Sequence, residues 1–236
     1  MDVMSTGFTG FRPEALDFLV ELALNNDRSW FGPRKAEYEA LLKQPLERLC
    51  TAVDEEFRAR DLPLAADPAR SPFRIYRDVR FAKDKSPYKT NVGASFPWTG
   101  AGGGVGGYFH LEPGGIFVGG GMWHPAPARL AAWRNAVATD PGLVQAAVGD
   151  PGFRATFGTV GGDRLKRAPT GFPPDHPDIE LLKLKDVVFS CPLADADVLE
   201  PDLPATIAMA LAQATPVLRL LAGLPGDETP AGWLRD

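Results

Sequence analysis

Between residues 70 and 90 the chain gathers seven cations, Arg70, Arg74, Arg77, Arg80, Lys83, Lys85 and Lys89, against only two anions, Asp78 and Asp84. This local +5 sits in a chain whose formal net charge is −5, so the remainder sums to −10. Such a reversal concentrates anions at one place. Arg74, Tyr76, Asp78 and Arg80 recur every second residue, which on a strand puts all four on one face. A guanidinium is a planar fork matched to carboxylate or phosphate. The row therefore reads as a cradle for a small anionic ligand, with Asp78 steadying the forks and Lys83, Lys85 and Lys89 adding point charges. A solvated strand face, with cross-strand charge pairs contributing about 0.2–1 kcal/mol each, would show the same pattern.

A second set is Tyr108, His110 and Glu112, again spaced by two. His110 and Glu112 are candidate catalytic residues, an acid/base pair, although a polar sheet face with a hydrogen-bonded histidine has the same spacing. The chain has three histidines and no third ligand clustered with this pair, so no metal site is expected. His124 and His176 each precede a proline and read as structural. The glycines 102, 104 and 107 have dinucleotide-fingerprint spacing but precede a strand instead of joining strand to helix. Ser86 and Lys89 have the spacing of a serine nucleophile pair without its companion motifs. Gly93 and Ser95 lack the final glycine of a nucleophile elbow. No Walker loop and no cofactor motif is present. Ser86-Pro87 could start a short helix aimed at an anion or form a plain turn.

These residues need elements to hold them. Leu16, Leu19, Val20 and Ala23 have helical spacing after Pro13, and Asn25-Asn26-Asp27 ends that helix. A second helical stretch is expected over residues 33–60, kinked at Pro45, whose ring crowds the Leu41 carbonyl. From Phe73 the period changes to two, with Phe73, Ile75, Val79 and Phe81 facing a core. Residues 91–98, 108–112 and 116–121 read as further strands, the last two forming a hairpin about Pro113-Gly114-Gly115. Residues 99–107 read as a glycine loop. Helices are expected over 126–138, 143–148 and 202–221, with a strand at 187–189. Helices, then strands, then helices argue for an α+β single domain over residues 8–224, a mainly antiparallel sheet flanked by helices from the N-terminal and C-terminal thirds. Residues 1–7 and 225–236 read as loose termini.

Composition narrows the class further. At 44% hydrophobic and 23% charged the chain is ordinary globular material. Cys50 and Cys191 have no paired spacing and read as buried small hydrophobes. No apolar run approaching a membrane span and no signal pattern is found, so a cytoplasmic location and no membrane partner are expected. Nucleic acid is disfavoured: the basic stretch is short, and its aromatics, Phe73 and Phe81, are expected on the buried face. Oligomeric state is not legible.

The run from Phe73 to Asn91, FRIYRDVRFAKDKSPYKTN, resembles the signature of an uncharacterised family, domain of unknown function 2461. Asn25–Phe31, Gly107–Pro113, Gly119–Trp123, Leu165–Phe172 and Asp175-His176-Pro177 agree with it. The resemblance spans about residues 11–221, implies a single domain and brings no activity. Three functional classes follow from the residues: a binding domain for a small anion, an enzyme acting on such an anion through His110 and Glu112, or a protein- or nucleic-acid-interaction module.

Overall fold

Pro13 opens helix α1 (Pro13–Leu24), where its missing N–H is harmless, and Ala15, Phe18, Leu19 and Leu22 turn inward. The computed structural model describes residues 7–80, 82–100 and 102–226. Asp27 caps α2 (Arg28–Tyr38), its carboxylate accepting the Ser29 and Trp30 N–H groups at 2.8 and 2.9 Å. The second helix thus starts at Arg28 rather than near Pro33, because one polar run both stops α1 and caps α2. Pro45 cannot donate to the Leu41 carbonyl, and the chain widens into a π turn, Glu39–Lys43, before α3 (Gln44–Ala59). The expected kink is a change of pitch just ahead of the proline.

The architecture is α+β. Strands β1 (Val92–Pro97), β2 (Gly106–Leu111) and β3 (Phe117–Met122) form an antiparallel meander. The chain then crosses through α4 (Pro127–Thr139), α5 (Pro141–Val148), α6 (Pro151–Phe157) and α7 (Ile179–Leu182). It returns as β4 (Val187–Pro192), antiparallel to β3. Helices α6 and α7 were not expected from the sequence, being short and embedded in Pro/Gly-rich stretches. The sheet order is β1-β2-β3-β4.

Helix α8 (Leu203–Gly223) lies across one face of the sheet. Contact is so close that a Cβ on Gly107 would come within 2.6 Å of Leu211. Phe109, Leu111 and Val118 are fully buried, and one hydrophobic cluster runs from Phe8 to Leu224. Against the expectation that no apolar run approaches a membrane span, α8 is, among the described residues, the one helix long and apolar enough to cross a membrane. Its Ile207, Leu211 and Leu218 are fully buried in this core.

Residues 73–80 do not form the regular strand expected of them. They run extended beside β1 and pair through isolated bridges, Pro72 with Ala94 and Tyr76 with Tyr88. Four residue steps on one side face six on the other, so the partner segment bulges between the bridges. The period of two still shows in burial. Arg74, Tyr76, Asp78 and Arg80 are exposed, Ile75 is buried, and Phe73, Arg77 and Val79 are intermediate. Phe81 lies outside the described residues. At the opposite edge residues 161–165 pair with the chain entering β4, Gly161 exchanging hydrogen bonds with Val188 at 2.7 and 3.0 Å.

Candidate functional site: a cleft on the open face of the sheet

The two irregular edges stand as walls over the sheet face that α8 leaves uncovered, enclosing a cleft of about 910 Å³. Its floor comes from β2 and β3. Tyr108 stands opposite Gly119, and His110 opposite Phe117. The His110 and Phe117 rings stack at 4.8 Å. One wall carries Phe73, Arg74, Tyr76, Arg77 and Asp78, joined by Lys89 and Asn91 from the bulged segment. The facing wall carries Trp123, Phe157, Thr159, Gly161 and Gly162. Cations occupy one wall only.

The cationic wall is held from below. Asn26 accepts the Tyr88 N–H and donates to the Tyr88 carbonyl, both at 3.0 Å. The Tyr88 ring stacks on Phe31 at 4.1 Å. Lys89, next in the chain, places its ammonium 5.3 Å from the centre of the Phe73 ring.

The expected anion-binding residues divide. Arg74, Tyr76, Asp78 and Lys89 line the cleft, whereas Arg80, Lys83 and Lys85 do not. Arg80 is largely exposed and closes a fork on the Asp78 carboxylate, with Nε at 3.0 Å and Nη2 at 2.6 Å. This pairing holds the Asp78 carboxyl below its usual range and raises the guanidinium. Lys85 donates to the Val79 carbonyl at 2.9 Å, closing the loop upon itself. Ser86 starts no helix, because its hydroxyl and N–H both go to Asp84. Arg77, outside the period-two row, lines the cleft and pairs with Asp84. The alternation missed it because the backbone around it is irregular.

On the floor three side chains form a hydrogen-bonded line. The Tyr108 hydroxyl lies 2.9 Å from His110 Nδ1, and His110 Nε2 lies 3.3 Å from Glu112 Oε2. Thr90 donates to the other Glu112 oxygen at 3.0 Å. A carboxylate accepts only, so Nε2 carries the proton and Nδ1 accepts from the tyrosine. Burial pushes the His110 pKa down, with Glu112 opposing, and pushes the Tyr108 phenol up to about 12. Both groups are therefore neutral near pH 7. Of this line Tyr108 and His110 reach the cleft, and Glu112 stands behind them. No group of metal-ligating side chains occurs among the described residues.

Trp123, Phe157, Gly161 and Gly162 were not foreseen as site residues. Trp123 directly follows the end of β3, whereas Phe157, Gly161 and Gly162 reach the cleft through the long crossover between β3 and β4. The one sequence signal was the Gly119–Trp123 stretch.

The family model described as Conserved hypothetical protein (DUF2461) matches residues 14–219. No curated protein and no solved structure matches the chain.

Proposed function

Since the chain belongs to this family of conserved hypothetical proteins, DUF2461, which carries no activity with it, we propose from the cleft alone that the protein binds a small organic anion. Arg74, Arg77 and Lys89 take the anionic group. The observation carrying this reading is the state of Arg74. It is exposed on the cleft wall and makes no hydrogen bond or ion pair among the described residues, while Arg77 and Arg80 each hold a carboxylate. A guanidinium with no hydrogen-bonded partner among the described residues, its charge felt by the nearby Asp78 carboxylate and set beside two further cations, keeps its planar fork open to a carboxylate or phosphate. The cleft volume also lies within the range of small-molecule sites.

Thermal unfolding against phosphate, sulfate, nucleotides, sugar phosphates and dicarboxylates tests the reading. A ligand at about 100 times its Kd adds roughly 2.7 kcal/mol. The shift is expected to vanish in Arg74→Ala and to persist in Arg80→Ala. No shift with any anion, or an equal shift in Arg74→Ala, overturns it.

The hydrogen-bonded line on the floor favours a second reading, an enzyme acting on the bound anion. Glu112 orients His110, and His110 accepts from Tyr108, the order of orienting group, base and reacting hydroxyl. In this reading Tyr108 and His110 meet the ligand, with Glu112 behind them. Its test is turnover of a bound anion that is lost in Tyr108→Phe and in His110→Gln while binding remains.

A further inference from the structure

We infer that the ligand is a flat aromatic ring bearing an anionic group, the class shared by nucleoside monophosphates, aryl phosphates and aryl carboxylates. The inference rests on the anion reading of the same cleft and adds the part of the ligand that the cations do not reach.

Charge is unevenly divided between the walls. The anionic group belongs at Arg74, Arg77 and Lys89, and the facing wall offers no cation among the described residues: it carries Trp123, Phe157, Thr159 and the backbone at Gly161 and Gly162. A compact anion would leave that half of a 910 Å³ cleft unused. Among the described residues the exposed large aromatics are Tyr76, at 51%, and Trp123, at 41%, and both line this cleft. An aromatic face left in water at a site mouth is a stacking surface.

Trp123 is also presented by a built device. Its indole stacks on the His124 imidazole at 4.5 Å and 15°. His124 has a left-handed backbone, φ 47°, an uncommon state for a non-glycine residue. The Asp186 carboxylate, 2% exposed, accepts the His124 N–H at 2.7 Å and holds that conformation. A buried acid thus holds the backbone at the residue next to Trp123, and the His124 ring covers one face of the indole. On the same wall a Cβ on Gly161 would meet nothing within 4 Å, so the space beside the backbone there is open.

Calorimetric titration with adenosine 5′-monophosphate, phenyl phosphate, benzoate, ribose 5-phosphate, inorganic phosphate and adenosine tests the inference. At least one of the three ring-bearing anions should bind about tenfold or more tighter than ribose 5-phosphate and inorganic phosphate, the gain of one stacked ring. The first three ligands separate nucleotide, aryl phosphate and aryl carboxylate. Trp123→Ala should remove the preference and leave phosphate binding in place. Gly161→Ala, whose Cβ enters the cleft with nothing within 4 Å of it, should weaken the ring-bearing anions at unchanged melting temperature. If ribose 5-phosphate or phosphate binds as tightly as every ring-bearing anion, this inference falls and the anion reading stands. If adenosine binds as tightly as its monophosphate, the anion reading falls, and with it the inference. Absence of binding by all six overturns both.

Discussion

Asn26 grips Tyr88, 62 residues away in sequence, by both sides of its backbone: the side-chain amide donates to the carbonyl and accepts the N–H, each at 3.0 Å. An amide is the one short side chain that both accepts and donates in this way. The turn between α1 and α2 thereby anchors the segment that carries Lys89. Asn26→Ala should lower stability by about 1–3 kcal/mol, the cost of leaving buried backbone groups unpaired. Asn26→Asp should fail to restore it, since a carboxylate cannot donate. Chemical denaturation and hydrogen exchange at the Tyr88 amide measure both effects. Slow exchange at Tyr88 in Asn26→Ala would contradict the clamp.

Gly93 makes room for Tyr108. A Cβ at this position would lie 2.7 Å from the Tyr108 hydroxyl and 2.8 Å from the Phe109 carbonyl. Gly93→Ala should therefore cost about 1–3 kcal/mol, the range for overpacking. Tyr108→Phe in the same chain should recover part of the loss, a coupling that a double-mutant cycle reads out. Strict additivity of the two changes would mean the hydroxyl is not the obstacle.

His110 makes stability depend on pH in a definite direction. Its folded pKa is pushed below the usual 6.5 by burial, so the unfolded chain binds the proton more readily. The contribution is complete above pH 6.5 and is lost as pH falls from there through the folded value. The melting temperature of the wild type should drop more between pH 7.5 and 5 than that of His110→Gln. The ring should titrate below 6.5 by NMR. Titration above 6.5 would show that Glu112 outweighs burial.

The buried Cys50 thiol has its pKa pushed up to about 12 by burial, and the partly exposed Cys191 thiol is raised as well. A thiol reacts as its thiolate. At pH 7.5 the native protein should give slow labelling by Ellman's reagent, confined to Cys191, with Cys50 reacting only as the chain unfolds. Rapid native labelling of Cys50 in a Cys191→Ser variant would contradict the packing around α3.

Arg80 and Arg74 should separate cleanly under mutation. The Asp78–Arg80 pair is on the surface, where solvent and salt screen such a pair and leave it little net stabilising effect. Arg80→Ala should leave stability almost unchanged and anion binding intact. Arg74→Ala should also fold normally but lose binding, and Arg74→Lys should restore it only in part, because an ammonium lacks the fork.

Local spacing was sufficient for much of this molecule. The helical stripe after Pro13, the hairpin about Gly114, the strand at Val187 and the family signature at residues 73–91 were all legible, because each depends on near neighbours in the chain. The basic cluster was legible as composition, and the pairing of Tyr108, His110 and Glu112 as a period of two. Which cations face the ligand was not. That depends on the bulge between the Tyr76 and Pro72 bridges, and on the Asp78 carboxylate that engages Arg80 outside the cleft lining. The aromatic wall was equally hidden. Phe157 and Gly161 line the same cleft as Arg74 only because β4 returns beside β3 after the helical crossover. Periodicity reports which face of its own element a side chain occupies; tertiary packing alone decides what stands across from that face.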